Sequence, residues 1–167
     1  MYYLDVLEEL YKKDVKYLIV GGLAVNLHGI PRVTQDIDII ISTAQKNILT
    51  IIQILDSLSY KPRLPVNPED LAKPEIVDDW INIKNMKAFS FYHEEDNFKV
   101  IDIVISHNLE FENAYKNKVE KKVNGFIIYL ASIGDIIKLK EYSGREQDLS
   151  DIEMLRKLLK FQKEENG

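Results

Sequence analysis

Cysteine is absent from the 167 residues, which excludes disulfides, zinc–thiolate sites and thiol catalysis. Long apolar runs are missing too: none approaches ~18 residues, so nothing in the sequence reads as a membrane span. Basic residues are the minority, 22 Lys and Arg against 27 Asp and Glu, for a formal net charge of −5. That balance argues against general coating of nucleic acid, while leaving room for a nucleotide or a single RNA end as substrate. The opening MYYLDVLEEL is acidic and has no basic n-region, so no signal peptide is read there and a cytoplasmic setting is expected. Internal repeats and low-complexity tracts are also absent. With 46% hydrophobic content, a single compact domain over residues 1–167 is the expectation.

What is present centres on Tyr17 to Ser42, YLIVGGLAVNLHGIPRVTQDIDIIIS. The apolar run Tyr17–Val20 has the length of a buried strand. Gly21-Gly22 breaks it and lets backbone turn sharply beside a ligand. Leu23 to His28 reads as a short helix stopped by Gly29 and Pro31, and Asp36 to Ser42 as a second strand. Side chains alternate along a strand, so Asp36 and Asp38 share a face with Cα atoms about 6.6–6.8 Å apart. Two carboxylates ~5 Å apart repel by about 3 kcal/mol at an effective dielectric of ~20. A hard cation such as Mg²⁺, held by carboxylates and substrate phosphates, relieves that repulsion. Arg32 and Thr34 place a cation and a hydroxyl just ahead of the pair. The alternative is structural, with the aspartates paired to Arg32 or capping nearby loops.

Around this stretch the chain reads as support. Tyr3 to Lys13 has amphipathic helix spacing, and Ser42-Thr43 is expected to cap a helix from about Ala44 to Leu58, buried through Ile48, Ile51, Ile52 and Leu55. Four of the five prolines fall in Pro62 to Pro74, read as connecting chain with one helical turn behind Asn67 and a short helix from Pro74. Trp80 reads as core, with base stacking as the alternative. Met86–Tyr92 and Phe98–Ile105 read as strands joined by a hairpin, and the second carries a lone charge, Asp102, that is costly unless paired or metal-bound. Lys116 to Lys122 reads as a solvated basic face, with contact to phosphate or RNA as the alternative. Asn124-Gly125 predicts a two-residue hairpin turn. Ser132 is expected to cap a helix ended by Gly144, and Asp148 to cap a last one with Leu149, Ile152, Leu155 and Leu158 inward. His28 reads as a satisfied helix-end histidine, and His93 and His107 as surface.

The glycine pair, thirteen intervening residues and then Asp36-Ile-Asp38 resemble the signature of the nucleotidyltransferase superfamily with a polymerase-beta-like palm. The resemblance implies an α/β (α+β) fold: a mixed, mostly antiparallel palm sheet over about residues 1–130, helices on one face, and short C-terminal helices over about 132–165. It implies that Asp36 and Asp38 hold two Mg²⁺ ions on a triphosphate. Asp102, as the third carboxylate, would hold the metal near the acceptor and help deprotonate its hydroxyl. Gly21 and Gly22 would cradle the β,γ-phosphates, although many members have serine at the second position. Arg32 and Thr34 join the nucleotide set.

The run from Asp135 to Ile152 is similar to the tail of small bacterial nucleotidyltransferases of the AbiEii-toxin type, with Asp135-x-x-Lys138 followed by Arg145-x-x-Asp148-Leu-x-Asp151. That resemblance brings Lys138 and Arg145 to the nucleotide; a solvent-exposed Asp135–Lys138 ion pair is the plainer alternative. The expected activity is metal-dependent transfer of an NMP from an NTP to a hydroxyl on RNA, protein or a small molecule, within a toxin–antitoxin module or with a partner protein or homodimer. A catalytically idle palm serving as a binding protein or antitoxin is one alternative. An antibiotic-modifying nucleotidyltransferase is another.

Overall fold

The computed structural model describes residues 3–166. Helix α1 (Leu4–Lys12) leads into strand β1 (Tyr17–Val20), helix α2 (Gly21–Leu27) and strand β2 (Ile37–Ile41). Helix α3 (Gln45–Ser57), edge strand β3 (Tyr60–Pro62), a 3-10 turn (Pro68–Ala72) and helix α4 (Pro74–Asn82) follow. Strands β4 (Ala88–His93) and β5 (Val100–Val104), helix α5 (Phe111–Lys116) and the hairpin β6 (Val119–Val123) and β7 (Phe126–Leu130) complete the sheet. Helices α6 (Ile133–Ser143) and α7 (Glu146–Asn166) close the chain. The seven strands lie in the order β3-β4-β5-β2-β1-β7-β6. Only β2–β5 and β1–β7 pair in parallel, so the sheet is mixed and mostly antiparallel, as expected.

Register explains why one face is greasy and the other carries charge. Ile19 pairs with Ile39, Ile37 with Ile101, Ile39 with Ile103, and Phe89 with Ile103. All of these side chains are essentially inaccessible to water. Each such aliphatic or aromatic side chain contributes about 1.5–3 kcal/mol relative to exposure. On the opposite face Val20 pairs with Asp38, Asp38 with Asp102, and Asp102 with Ser90. A one-residue slip of β2 would exchange these two sets, so burial of the isoleucines is what aims the carboxylates.

Local chemistry fixes the element ends. Asn67 accepts from the Glu69 amide at 3.0 Å to open the 3-10 turn, and Ser132 accepts from the Asp135 amide at 3.1 Å to open α6. Gly144 closes α6 in the left-handed region, with φ +66°. Asn124 and Gly125, both at positive φ, make the tight β6–β7 turn. Trp80 is core, with its ring centroid 5.5 Å from that of Phe89. In the basic Lys116–Lys122 segment Lys116 and Lys122 are exposed, whereas Lys121 donates to the Leu27 carbonyl and Lys118 sits 4.2 Å from the Tyr115 ring centroid.

Several expectations need correction. Helix α2 begins at Gly21 itself, because that residue's φ of +68° turns the chain at once. Helix α3 has Ala44 at its N-cap and no side-chain cap; Ser42 accepts from the Ala44 amide instead, and Ile54 takes the buried place assigned to Ile52. Helix α7 starts at Glu146, so Asp148 lies within its first turn and binds side chains rather than capping. Leu149, expected inside, is 64% exposed. Strand β3 and helix α5 were not anticipated.

Candidate active site

Asp38 and Asp102 occupy matched positions on adjacent parallel strands, and neighbouring strands run about 4.8 Å apart. Ser90, opposite Asp102 on β4, donates its hydroxyl to Asp102 Oδ1 at 2.5 Å. Burial, the charges of Asp102 and Asp36, and a hydrogen bond with Asp102 push the Asp38 carboxyl up to about 7. Asp36 lies one residue before β2 and is exposed; partial burial and the Asp102 charge raise its pKa, while nearby Arg63 pulls it back. Among the described residues no three His, Cys, Asp or Glu side chains form a ready-made metal group. Asp38 and Asp102 stand as an adjacent pair at one register, and Asp36 is near enough for its charge to act on Asp38. Such a pair still suits Mg²⁺, whose shell substrate phosphates complete.

Gly21 meets this pair directly. A Cβ there would come 2.9 Å from Asp38 Cγ, so only a residue without one can turn beside the carboxylate. Gly22 is covered by the other residues of the expected nucleotide set. A Cβ on it would lie 3.2 Å from Thr34 Oγ1 and 3.3 Å from Arg32 Nε. The Thr34 hydroxyl donates to the Asp36 carbonyl at 3.3 Å, and Arg32 pairs with Asp151 of α7.

A cavity of about 570 Å³ opens over the charged face, bounded by Gly21, Asp38 and Asp102 below and by α6 and Arg145 above. Gly22, Arg32, Thr34 and Asp36 do not line this cavity. Lys138 is outside as well: its side chain is 65% exposed and 3.9 Å from Asp135. Lys140 takes the cavity wall instead, since two residues turn an α-helix by about 200° and move a side chain to the other face. Its ammonium donates to Asp151 Oδ2 at 2.8 Å and to Asp148 Oδ1 at 3.3 Å. Arg145 Nε donates to Asp148 Oδ2 at 3.0 Å. Burial opposes ionisation of Asp148, but hydrogen bonds from Arg145 and Ser143 and the Lys140 charge hold its carboxyl below the ordinary value.

The end of the cavity beyond Asp102 is lined by Lys87, Ser106, His107 and Tyr142. The Ser106 hydroxyl, just past β5, lies 3.3 Å from that of Tyr142 on α6. His107, read from sequence as surface, is half-buried and lines the cavity. Its Nδ1 accepts from the Leu109 amide at 3.2 Å, and burial lowers its pKa. The proton therefore sits on Nε2, making the ring a hydrogen-bond donor. His28, by contrast, donates to the Ala131 carbonyl at 2.9 Å and is structural.

Comparisons with known proteins bear on the family and the fold. Residues 4–162 match the family described as "Nucleotidyltransferase of unknown function (DUF6036)". Curated protein sequences give no significant match. Among solved structures, the lincosamide antibiotic adenylyltransferase LnuA, bound to lincomycin, is similar at 22% identity and a TM-score of 0.57, over 92% of this chain and 93% of that one. ANT(2")-Ia in complex with adenylyl-2"-tobramycin is similar at 13% identity and a TM-score of 0.59, over 93% and 86%. An antigenic nucleotidyltransferase-like protein from Paracoccidioides brasiliensis follows at 17% identity and a TM-score of 0.53, over 93% and 72%. The chain belongs to the DUF6036 nucleotidyltransferase family, and its fold is that of the nucleotidyltransferases.

Proposed function

We propose that this nucleotidyltransferase, working as one domain, moves an NMP from an NTP to a hydroxyl of a small-molecule acceptor and releases pyrophosphate. The observation that carries the reading is the Asp38–Asp102 pair, set at one register beside a glycine turn and opening on a single cavity. A cavity of about 570 Å³ suits small molecules. The solved relatives bound to lincomycin and to adenylylated tobramycin favour that acceptor class.

In the proposed reaction the acceptor oxygen forms a bond to the α-phosphorus while the bond to the pyrophosphate oxygen breaks, and the hydroxyl proton passes to Asp102. Ser90 holds the Asp102 carboxylate in place through Oδ1. Asp38 and Asp102, with Asp36 alongside, would hold Mg²⁺. The metal supplies charge neutralisation on the triphosphate and lowers the pKa of the attacking hydroxyl. Backbone at Gly21-Gly22 and the cations Lys140 and Arg145 receive the phosphates, with charge-assisted hydrogen bonds from the two side chains.

The test is incubation with each of the four α-labelled NTPs, Mg²⁺ and a panel of hydroxylated small molecules, run for the parent and for Asp102→Asn. Label transfer by the parent, lost in a variant that folds and still binds Mg²⁺–NTP, is the expected result. A folded Asp102→Asn protein that transfers as fast as its parent would sink the catalytic assignment. A parent that binds Mg²⁺–NTP and transfers nothing, to small molecules, RNA or protein, would indicate an idle palm.

A further inference from the structure

Three cations from three separate parts of the chain converge on two carboxylates of α7. Arg32, from the connection between α2 and β2, pairs with Asp151 Oδ2. Lys140 of α6 donates to that same oxygen and to Asp148, and Arg145 of the α6–α7 turn donates to Asp148. Asp148 and Asp151 are three residues apart and so share one face of the helix. Apart from Arg145, whose side chain is 70% exposed, the cluster is sheltered: side chains of Lys140 and Asp148 are 6% and 1% exposed, and those of Arg32 and Asp151 are 19% and 14% exposed. In such surroundings an ion that loses its partner is strongly destabilised. Three cations against two carboxylates leave one positive charge over, and of these five groups Lys140, Arg145 and Asp148 reach the cavity wall.

Asp151 does not line the cavity; the wall residue it binds is Lys140, and its charge also acts on Arg145. A lysine free to rotate loses side-chain entropy each time it engages a ligand, whereas one already fixed has lost it beforehand. Arg32 matters for the same reason. By sharing Asp151 Oδ2 it keeps that carboxylate from fully neutralising Lys140, and it ties α7 to the chain leading into β2, 119 residues away.

We propose that Asp151 is a positioning residue for nucleotide binding: braced by Arg32, it fixes the Lys140 ammonium on the cavity wall in the orientation that receives a triphosphate. The inference rests on the nucleotide-binding reading of this cavity. Its test is a double-mutant cycle on the full chain, with calorimetric titration of the α,β-methylene analogues of ATP, GTP, CTP and UTP in Mg²⁺. The expected result is that Asp151→Asn weakens binding of the preferred analogue by about tenfold in the parent and by less than about twofold in a Lys140→Gln background. Should Asp151→Asn fail to fold by melting and circular dichroism, Arg32→Gln carries the same cycle, because it releases Asp151 from the other side. Binding as tight as the parent's, or tighter, would overturn the proposal and make the carboxylate a mere competitor of phosphate. Equal losses in both backgrounds would also overturn it, since a purely structural role does not depend on Lys140. A parent that binds none of the four analogues removes the nucleotide reading itself, a result distinct from either.

Discussion

Replacing Asp38 by Asn should make the metal-free protein more stable, and only above a definite pH. The carboxyl is pushed up to about 7 from an ordinary 3.8, first by burial and then by Asp102 and Asp36. Between those values the folded chain holds a proton that the unfolded chain has released. Stability therefore falls as pH rises through that window, and this group's contribution is flat above it. The full displacement corresponds to about 4 kcal/mol of destabilisation at pH 8. Because Asp38 opens on a cavity where water and counterions screen it, we expect about 1–3 kcal/mol. Asn is close in shape to protonated Asp, so variant and parent should be nearly equal at pH 4. Urea unfolding in EDTA at a series of pH values measures the difference directly. The gap should open from pH 4 to pH 8, and Mg²⁺ should close part of it by stabilising the parent more than the variant. A variant less stable than its parent at pH 8 in EDTA would refute the reasoning, showing that Asp38 is held by favourable contacts the folded chain cannot spare.

The glycines and lysines of the site give sharper contrasts. Gly21→Ala should lose Mg²⁺–NTP binding in calorimetry and destabilise by about 1–2 kcal/mol from its left-handed backbone alone, with the Asp38 collision added; Gly22→Ala, which meets only Thr34 and Arg32 side chains, should keep measurable binding. Lys140→Gln should weaken Mg²⁺–NTP binding by about tenfold or more, whereas Lys138→Gln should bind like the parent, and the reverse ranking would place the phosphates on the other face of α6. NTP affinity should fall sharply in EDTA, because unscreened Asp38 and Asp102 repel a polyanion; equal affinity with and without Mg²⁺ would remove the metal from the reading.

The parts of the fold that sequence made legible are those where a local rule and the tertiary environment agree. Strand alternation puts Ile37 and Ile39 opposite Asp38, and in the structure both are buried while Asp38 lines the cavity. Ser132, Gly144 and Asn124-Gly125 carry their own chemistry and end their elements where that chemistry predicts. What escaped had weak local signals. Strand β3 is three residues long and includes Pro62, which an edge strand tolerates because no partner needs its missing N–H. Helix α5 is one and a half turns capped by Glu110, which accepts from the Glu112 and Asn113 amides although glutamate is not a preferred cap.

The site was half legible, and the missing half shows which signal to use. Matching Asp-x-x-Lys picked Lys138 by spacing, without asking which face of α6 is buried. Ile133, Ile136, Ile137 and Lys140 follow the helical period, so Lys140 lies on the apolar stripe and Lys138 does not. A lysine on such a stripe must be paired or functional, the same argument that singled out Asp38 and Asp102 in apolar strands. Asp148 obeys it too, four residues before Ile152 on the buried side of α7 and 1% exposed. Charge among apolar neighbours thus marks Asp38, Asp102, Lys140 and Asp148, and Asp135 of α6 is buried as well. Arg32 and Asp151 lie beyond its reach, because the chain between them must fold before 119 residues of separation become one hydrogen bond.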